Sequence, residues 1–131
     1  MSFLVDTNIF SELVRAQPNP GVLGWAETVQ RMTLSVVTLE EIYFGLRGRP
    51  NARVQTAVEA LLAARSDLLP VTAAIARSAG TLRGALQAQG QTRTQADMLI
   101  AATALTHGLV LVTRNERDFA GCGVSLLNPF R

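Results

Sequence analysis

A chain of 131 residues, 48% apolar and 17% charged, has the length of one domain with a real hydrophobic core. All 12 Lys/Arg positions are arginine, His107 and Cys122 are the single histidine and cysteine, and the formal charge is +2. These counts exclude an internal disulfide, a cysteine-based zinc site, a Walker-type phosphate loop, a lysine Schiff base and a two-histidine acid–base pair, leaving carboxylates, amides, hydroxyls and arginines for chemistry.

No apolar run approaches a membrane span, because Asp97 heads the longest candidate, Met98–Leu105. The N-terminus lacks a basic stretch ahead of its apolar residues and meets an acid at once, which does not fit a signal peptide. With a lone cysteine, the expected compartment is the reducing cytoplasm, and no membrane partner is expected. So small a net charge does not by itself point to nucleic acid. Arginine in place of lysine is read first as genomic base composition, although guanidinium groups suit two-point phosphate contacts.

Phe3, Leu4 and Val5 form a short apolar run without alternation, as in a strand buried on both faces, and the run stops on Asp6. Ile9, Phe10, Leu13 and Val14 repeat at helical spacing, and Gln17-Pro18-Asn19-Pro20-Gly21 breaks that helix. A second helix is predicted over Val22–Gln30, with Trp25 in the core or an interface, and a second strand over Leu34–Val37. Thr38 then opens a helix that ends at Gly48, and Asn51–Arg65 forms another. Asp67–Val71 reads as an edge strand, where proline is tolerated. A long helix follows from Thr72 to Gln89, weakened by Gly80 and Gly84, and then the loop Gln89–Arg93. Thr94 caps a helix over Gln95–His107 that is apolar nearly all round and therefore buried; His107 sits favourably at its C-terminal dipole and Gly108 fits its C-cap. Leu109–Val112 is an unbroken β run, and Val124–Leu127 closes the sheet. The order βααβααβααβ(α)β predicts an α/β fold: a three-layer α/β/α sandwich around a central, mainly parallel sheet of about five short strands, one domain over residues 1–131.

In an open parallel sheet, ligands bind beyond the carboxyl ends of the strands, where Asp6 stands. Glu40 and Glu41 follow the second strand, Asp97 opens the buried helix, and Asn115, Glu116 and Asp118 follow the fourth strand. Each has a bland explanation. Asp6 can cap the first helix, Thr38-x-x-Glu41 has the spacing of a capping box, and Thr94-x-x-Asp97 places an acid in a helical first turn. Together they say more. Two carboxylates about 4 Å apart repel by roughly 4 kcal/mol at an effective dielectric of 20, so a cluster needs protons or a cation. Oxygen ligands without imidazole or thiolate select Mg²⁺ or Mn²⁺, ions suited to phosphodiester hydrolysis.

Four segments carry a resemblance: Leu4-Val5-Asp6-Thr7-Asn8, Val37-Thr38-Leu39-Glu40-Glu41-Ile42-Tyr43-Phe44-Gly45, Ala96-Asp97-Met98-Leu99-Ile100-Ala101-Ala102 and Val112-Thr113-Arg114-Asn115-Glu116-Arg117-Asp118-Phe119. In order and spacing they resemble the four motifs of PIN-domain nucleases, in particular the VapC-type toxins of bacterial type II toxin–antitoxin systems on the branch close to FitB. The likeness runs through the closing Leu127-Asn128-Pro129-Phe130. It implies a Mg²⁺-dependent endoribonuclease, with Mn²⁺ a plausible substitute. By position, Asp6 and Asp97 become the main metal ligands, Glu41 rather than Glu40 the family glutamate, and Asp118 the fourth acid. Some members carry that acid directly after Thr-Arg, where this chain has Asn115. Asp118 acting through a water, with Asn115, Thr113 and Thr7 as supports, is the expectation. Arg93, Arg114, Arg117 and Arg47 become candidates for RNA phosphates, with solvated surface charge the equal alternative.

The resemblance also implies a small cognate antitoxin of the VapB/FitA kind, laid in a groove between helices with a basic side chain directed at the acids. It further implies a homodimer, with helices near 51–65 and 72–89 as candidate interfaces, and toxin–antitoxin hetero-oligomers. Two rivals stand beside the nuclease. One is a metal-dependent phosphatase, disfavoured because Asn8 breaks an Asp-x-Asp signature. The other is a PIN-like RNA-binding or scaffold protein with a degenerate site.

Overall fold

The computed structural model describes residues 2–131. Among them the order is β1 (Phe3–Val5), α1 (Thr7–Leu13), α2 (Pro20–Ala26), β2 (Met32–Ser35), α3 (Val36–Gly48), α4 (Ala52–Arg65), β3 (Ser66–Leu69), α5 (Ala73–Ala88), α6 (Gln95–His107), β4 (Val110–Val112), α7 (Glu116–Phe119) and β5 (Leu126–Leu127). The strands form one sheet in the order β3-β2-β1-β4-β5, with every pairing parallel. β1 lies in the middle, registered on β2 by Leu4↔Thr33 and on β4 by Phe3↔Val110 through Val5↔Val112.

Alternate residues of a strand point to opposite faces, and here each face has its own core. Leu4 and Leu111 belong to a cluster with Ile75, Met98, Ala101 and Phe119, from α5, α6 and α7. Val5 and Val112 belong to a second cluster with Ile9, Phe10, Val22 and Val58, from α1, α2 and α4. This is the three-layer sandwich read from the sequence. A fully buried leucine or isoleucine contributes about 1.5–3 kcal/mol, so even three-residue strands are firmly seated. The helix α6 buries Met98, Ile100, Ala101, Ala102, Thr103 and Ala104, and Gly108 ends it in the left-handed conformation at φ 64°. The expected apolar girth and C-cap are both present.

Several boundaries differ from the sequence reading. The second strand is Met32–Ser35, not Leu34–Val37, and Val36 and Val37 begin α3 instead. Ser35 is the reason: its hydroxyl accepts from the Val37 N–H at 3.1 Å and caps the helix, so Thr38 lies inside the first turn. The second helix starts at Pro20, because Asn19 Oδ1 accepts from Gly21 and Val22 N–H and proline suits the first helical position. It ends at Ala26, short of the expected Gln30. β3 is the expected edge strand but starts at Ser66, registered on Met32, and stops before Pro70. β5 is reduced to two residues.

Candidate active site

Strand order reverses about β1: β2 and β3 build outward on one side, β4 and β5 on the other. The crevice between the carboxyl ends of β1 and β4 is therefore the topological switch point, where open α/β sheets bind ligands. Asp6 and Thr113 are the residues that immediately follow those two strands.

Asp6 is only 4% exposed and well satisfied. Its Oδ1 accepts from the Thr7 N–H at 2.8 Å, and its Oδ2 from the Thr113 hydroxyl at 2.8 Å and Asn8 Nδ2 at 3.0 Å. Burial raises the Asp6 carboxyl above the ordinary range against these donors, and the nearby Asp118 charge adds to the rise. Asn8 also accepts from the Arg114 N–H through Oδ1 at 3.0 Å, joining α1 to the segment after β4. Thr113 accepts from the Asn115 N–H at 3.0 Å, so one hydroxyl ties Asp6 to the turn leading to α7.

Glu41, half-buried, comes from α3 and accepts from the Thr7 hydroxyl at 2.6 Å, across 34 positions of sequence. Glu40 is exposed and takes no part, so Glu41 is the member of the pair that the fold brings in. Asp97, half-buried in the first turn of α6, has its N–H bonded to the Thr94 hydroxyl at 3.1 Å. Its carboxyl is pushed up to about 6, first by burial and then by the charges of Asp6, Asp118 and Glu41, against the Thr94 hydroxyl. Asp97 thus lies in the field of the other three acids, and Asp6 in that of Asp118. Neither of the two ion pairs among the described residues, Arg15–Glu12 and Arg31–Asp67, involves any of them.

Asp118 is exposed on α7, and its charge acts on both Asp6 and Asp97. The Asn115 side chain is exposed and makes no capping bond, while its carbonyl accepts from the Asp118 N–H at 3.1 Å. Among the arginines, Arg93 has another task. Its Nη1 donates to the Asp118 carbonyl at 2.6 Å, and its Nη2 to the Ala120 carbonyl at 2.8 Å and Gln91 Oε1 at 3.0 Å. Arg114 lies over the Phe130 ring, 4.6 Å from its centroid. Arg47 and Arg117 are exposed, with no ion pair among the described residues. His107 is exposed in the last turn of α6, and Trp25 packs edge-to-face on Phe3 at 5.6 Å.

Three residues that matter here were not singled out as site residues by sequence. Asn8 is a common turn type whose Arg114 partner only the fold supplies, and Ser35 is a local helix cap inside an apolar run that reads as strand. Glu12 is buried and accepts from the Asn19 N–H at 2.8 Å and from Arg15 at 3.1 Å, closing the α1–α2 turn. The Thr38 hydroxyl is buried with no partner among the described residues, so the capping-box reading of Thr38 and Glu41 does not hold.

The donor set suits a hard divalent cation: four clustered carboxylates with hydroxyl and amide supports, and no imidazole, thiolate or ammonium. Among the described residues no three His, Cys, Asp or Glu side chains converge closely enough to hold a metal ion.

A parallel three-layer fold with four acids at its switch point defines the class, and the PIN domain family model matches residues 3–122; the chain belongs to that family. Within it, the VapC ribonuclease Y4jK of Sinorhizobium fredii is 33% identical over 135 residues, covering 97% of this chain and 96% of that protein. The tRNA(fMet)-specific endonuclease VapC of Shigella flexneri is 31% identical over 123 residues, 94% of this chain and 93% of that protein. The crystal structure of FitAcB from Neisseria gonorrhoeae superposes with a TM-score of 0.83 at 30% identity, covering 97% of each chain. Among the described residues no helix is long and apolar enough to cross a membrane.

Proposed function

We propose that this protein is a divalent-metal-dependent endoribonuclease, with Mg²⁺ as its ion and Mn²⁺ a substitute, serving as the toxin of a toxin–antitoxin pair. The observation that carries the reading is the electrostatics of the switch point. Burial first, and then the charges of Asp6, Asp118 and Glu41, push the Asp97 carboxyl up to about 6, and none of the four acids has an ion-pair partner among the described residues. A cation among them relieves that repulsion.

Asp6 and Asp97 are the direct ligands in this reading, with Glu41 and Asp118 acting through water. When bound, the metal supplies Lewis acidity toward a phosphate oxygen and a water of lowered pKa. The chain supplies the positioning. Asp6 is locked by three donors, Glu41 is steered by Thr7, and Asp118 is carried on a turn that Thr113 and Arg93 hold. Arg47, Arg114 and Arg117 contribute positive charge around the acids for the RNA backbone.

The partner reading rests on α3. Tyr43 and Phe44 are exposed there, Phe44 by 77%. On another face of α3, a groove of about 290 Å³ lies between α1, α3 and α4, lined by Phe10, Val14, Ile42, Leu46 and Val58, with Glu41 in its wall. An apolar antitoxin segment seated there brings an arginine to the acids, where it competes with the metal. Homodimers and hetero-oligomers through further apolar faces belong to the same proposal.

The deciding experiment is cleavage of a mixed cellular RNA pool by antitoxin-free protein with Mg²⁺, with EDTA, and with Asp97→Asn. Cleavage confined to the wild type with Mg²⁺ is expected. No cleavage by folded, Mg²⁺-treated wild type, tested also on defined tRNA and ribosomal RNA, overturns the nuclease in favour of a degenerate RNA-binding PIN domain.

A further inference from the structure

Beside the acids lies a second cavity, of which the proposed chemistry uses only Arg114, as a backbone charge. It is a cleft of about 530 Å³, lined among others by Glu12, Arg15, Pro18, Pro20, Arg114 and Phe130. A single amide links it to the acids. Asn8 donates to Asp6 Oδ2 at 3.0 Å and accepts the Arg114 N–H at 3.0 Å, so the cleft begins one residue past the hydroxyl that holds Asp6.

The cleft is preformed. The Phe130 N–H donates to Asn128 Oδ1 at 3.1 Å, and Asn128 Nδ2 reaches Glu116 at 3.2 Å. Asn19 grips the backbone of Arg131 from both sides, donating to its carbonyl at 2.9 Å and accepting its N–H at 3.2 Å. The C-terminal segment lies so close to α2 that a Cβ on Gly21 would stand 2.1 Å from the Pro129 carbonyl oxygen. Phe130 is thereby fixed, and the Arg114 guanidinium is held over its ring.

Glu12 and Arg15 pair with each other, so the excess positive charge of the lining is that of Arg114. Both oxygens of the one lining carboxylate, Glu12, are already taken, by the Asn19 N–H and by Arg15. Arg15 remains 67% exposed and Arg114 makes no ion pair among the described residues. An aromatic ring under a guanidinium plane, faced by prolines and flanked by two arginines, is the chemistry that receives an unstacked base with its phosphate.

We infer that this cleft is a nucleotide subsite: it takes one unpaired base of the RNA strand next to the scissile phosphate, stacked on the Arg114–Phe130 wall, with Arg15 on the adjoining phosphate. The inference rests on the ribonuclease reading for which strand enters, but its test does not need cleavage. The probe is a labelled single-stranded RNA of about twelve nucleotides and mixed sequence, titrated by fluorescence anisotropy in EDTA across a salt series. Phe130→Leu keeps apolar bulk and removes the aromatic face. It should weaken binding roughly 5- to 30-fold while leaving the salt slope unchanged, measured well below the variant's own Tm. Arg114→Gln should weaken binding and lower the salt slope by about 0.7. Arg31→Gln, just before β2 at the amino edge of the sheet, should stay within about twofold of wild type. Wild-type affinity in both cleft variants, or no wild-type binding up to about 100 µM, overturns the subsite. Binding through the cleft without Mg²⁺-dependent cleavage of any RNA instead sinks the nuclease reading and leaves the subsite standing. Cleavage and binding equal to wild type in both variants does the reverse.

Discussion

The guanidinium of Arg93 directs its donors to the carbonyls of Asp118 and Ala120, clamping the turn that carries the fourth acid to the loop preceding α6. From sequence, Arg93 was a candidate for an RNA phosphate, because an arginine beside a motif reads as free charge. Its partners lie 25 and 27 positions away, and nothing local announces them. The two roles separate by experiment. Arg93→Gln should raise the Mg²⁺ concentration needed for half-maximal cleavage several-fold, leaving the RNA KM and its salt dependence as in wild type. If Arg93 instead neutralises a phosphate, the salt slope should fall by about 0.7 and the metal requirement should hold. The same reasoning explains what the sequence did and did not disclose at this scale. Asp6, Glu41 and Asp97 could be found because a carboxylate at a strand or helix end is conspicuous. Asn8 could not be weighed, since its worth lies in an Arg114 amide 106 positions away.

At the scale of elements, the start of α3 decides where Glu41 points. Val36 and Val37 extend the β-branched run of the second strand, so propensity alone carries the strand on to Thr38. One hydrogen bond overrules it: with Ser35 as cap, the helix begins three residues earlier and Glu41 comes to face Thr7. The remaining elements are set by periodicity over longer stretches. Helices α4, α5 and α6 accordingly lie within a residue of their expected bounds, whereas the two-residue β5 depends on pairing with β4 that composition does not encode. A pair of substitutions tests the assignment by urea denaturation. Ser35→Ala removes the cap and should destabilise by about 1 kcal/mol. Thr38→Val removes a buried hydroxyl that has no partner and should be neutral or stabilise by up to about 1 kcal/mol. If the capping box were real, the losses would be exchanged.

For the whole molecule, the sheet order that makes a binding crevice also gathers charges that the fold must bear. Asp97 shows how much. Folded, it keeps its proton up to about pH 6, against an ordinary value of 3.8, through burial first and its acidic neighbours second. The folded state therefore binds the extra proton between these values, and stability falls as pH rises through that window. Opposing this, a negative charge in the first turn of α6 is worth about 0.3–1 kcal/mol. Burial and three like charges outweigh it, although half-exposure screens the shift and leaves a net penalty of order 1 kcal/mol. Asp97→Asn should then melt about 4 °C above wild type at pH 7.5 in EDTA, converging with it near pH 4, where the wild-type carboxyl is protonated. Adding Mg²⁺ should raise wild type more than the variant, because the ion binds only the folded cluster and favours its full charge. A variant that melts with wild type at both pH values would mean the four acids do not share one field. The proposed metal site would then lose its physical basis, whatever the activity assays report.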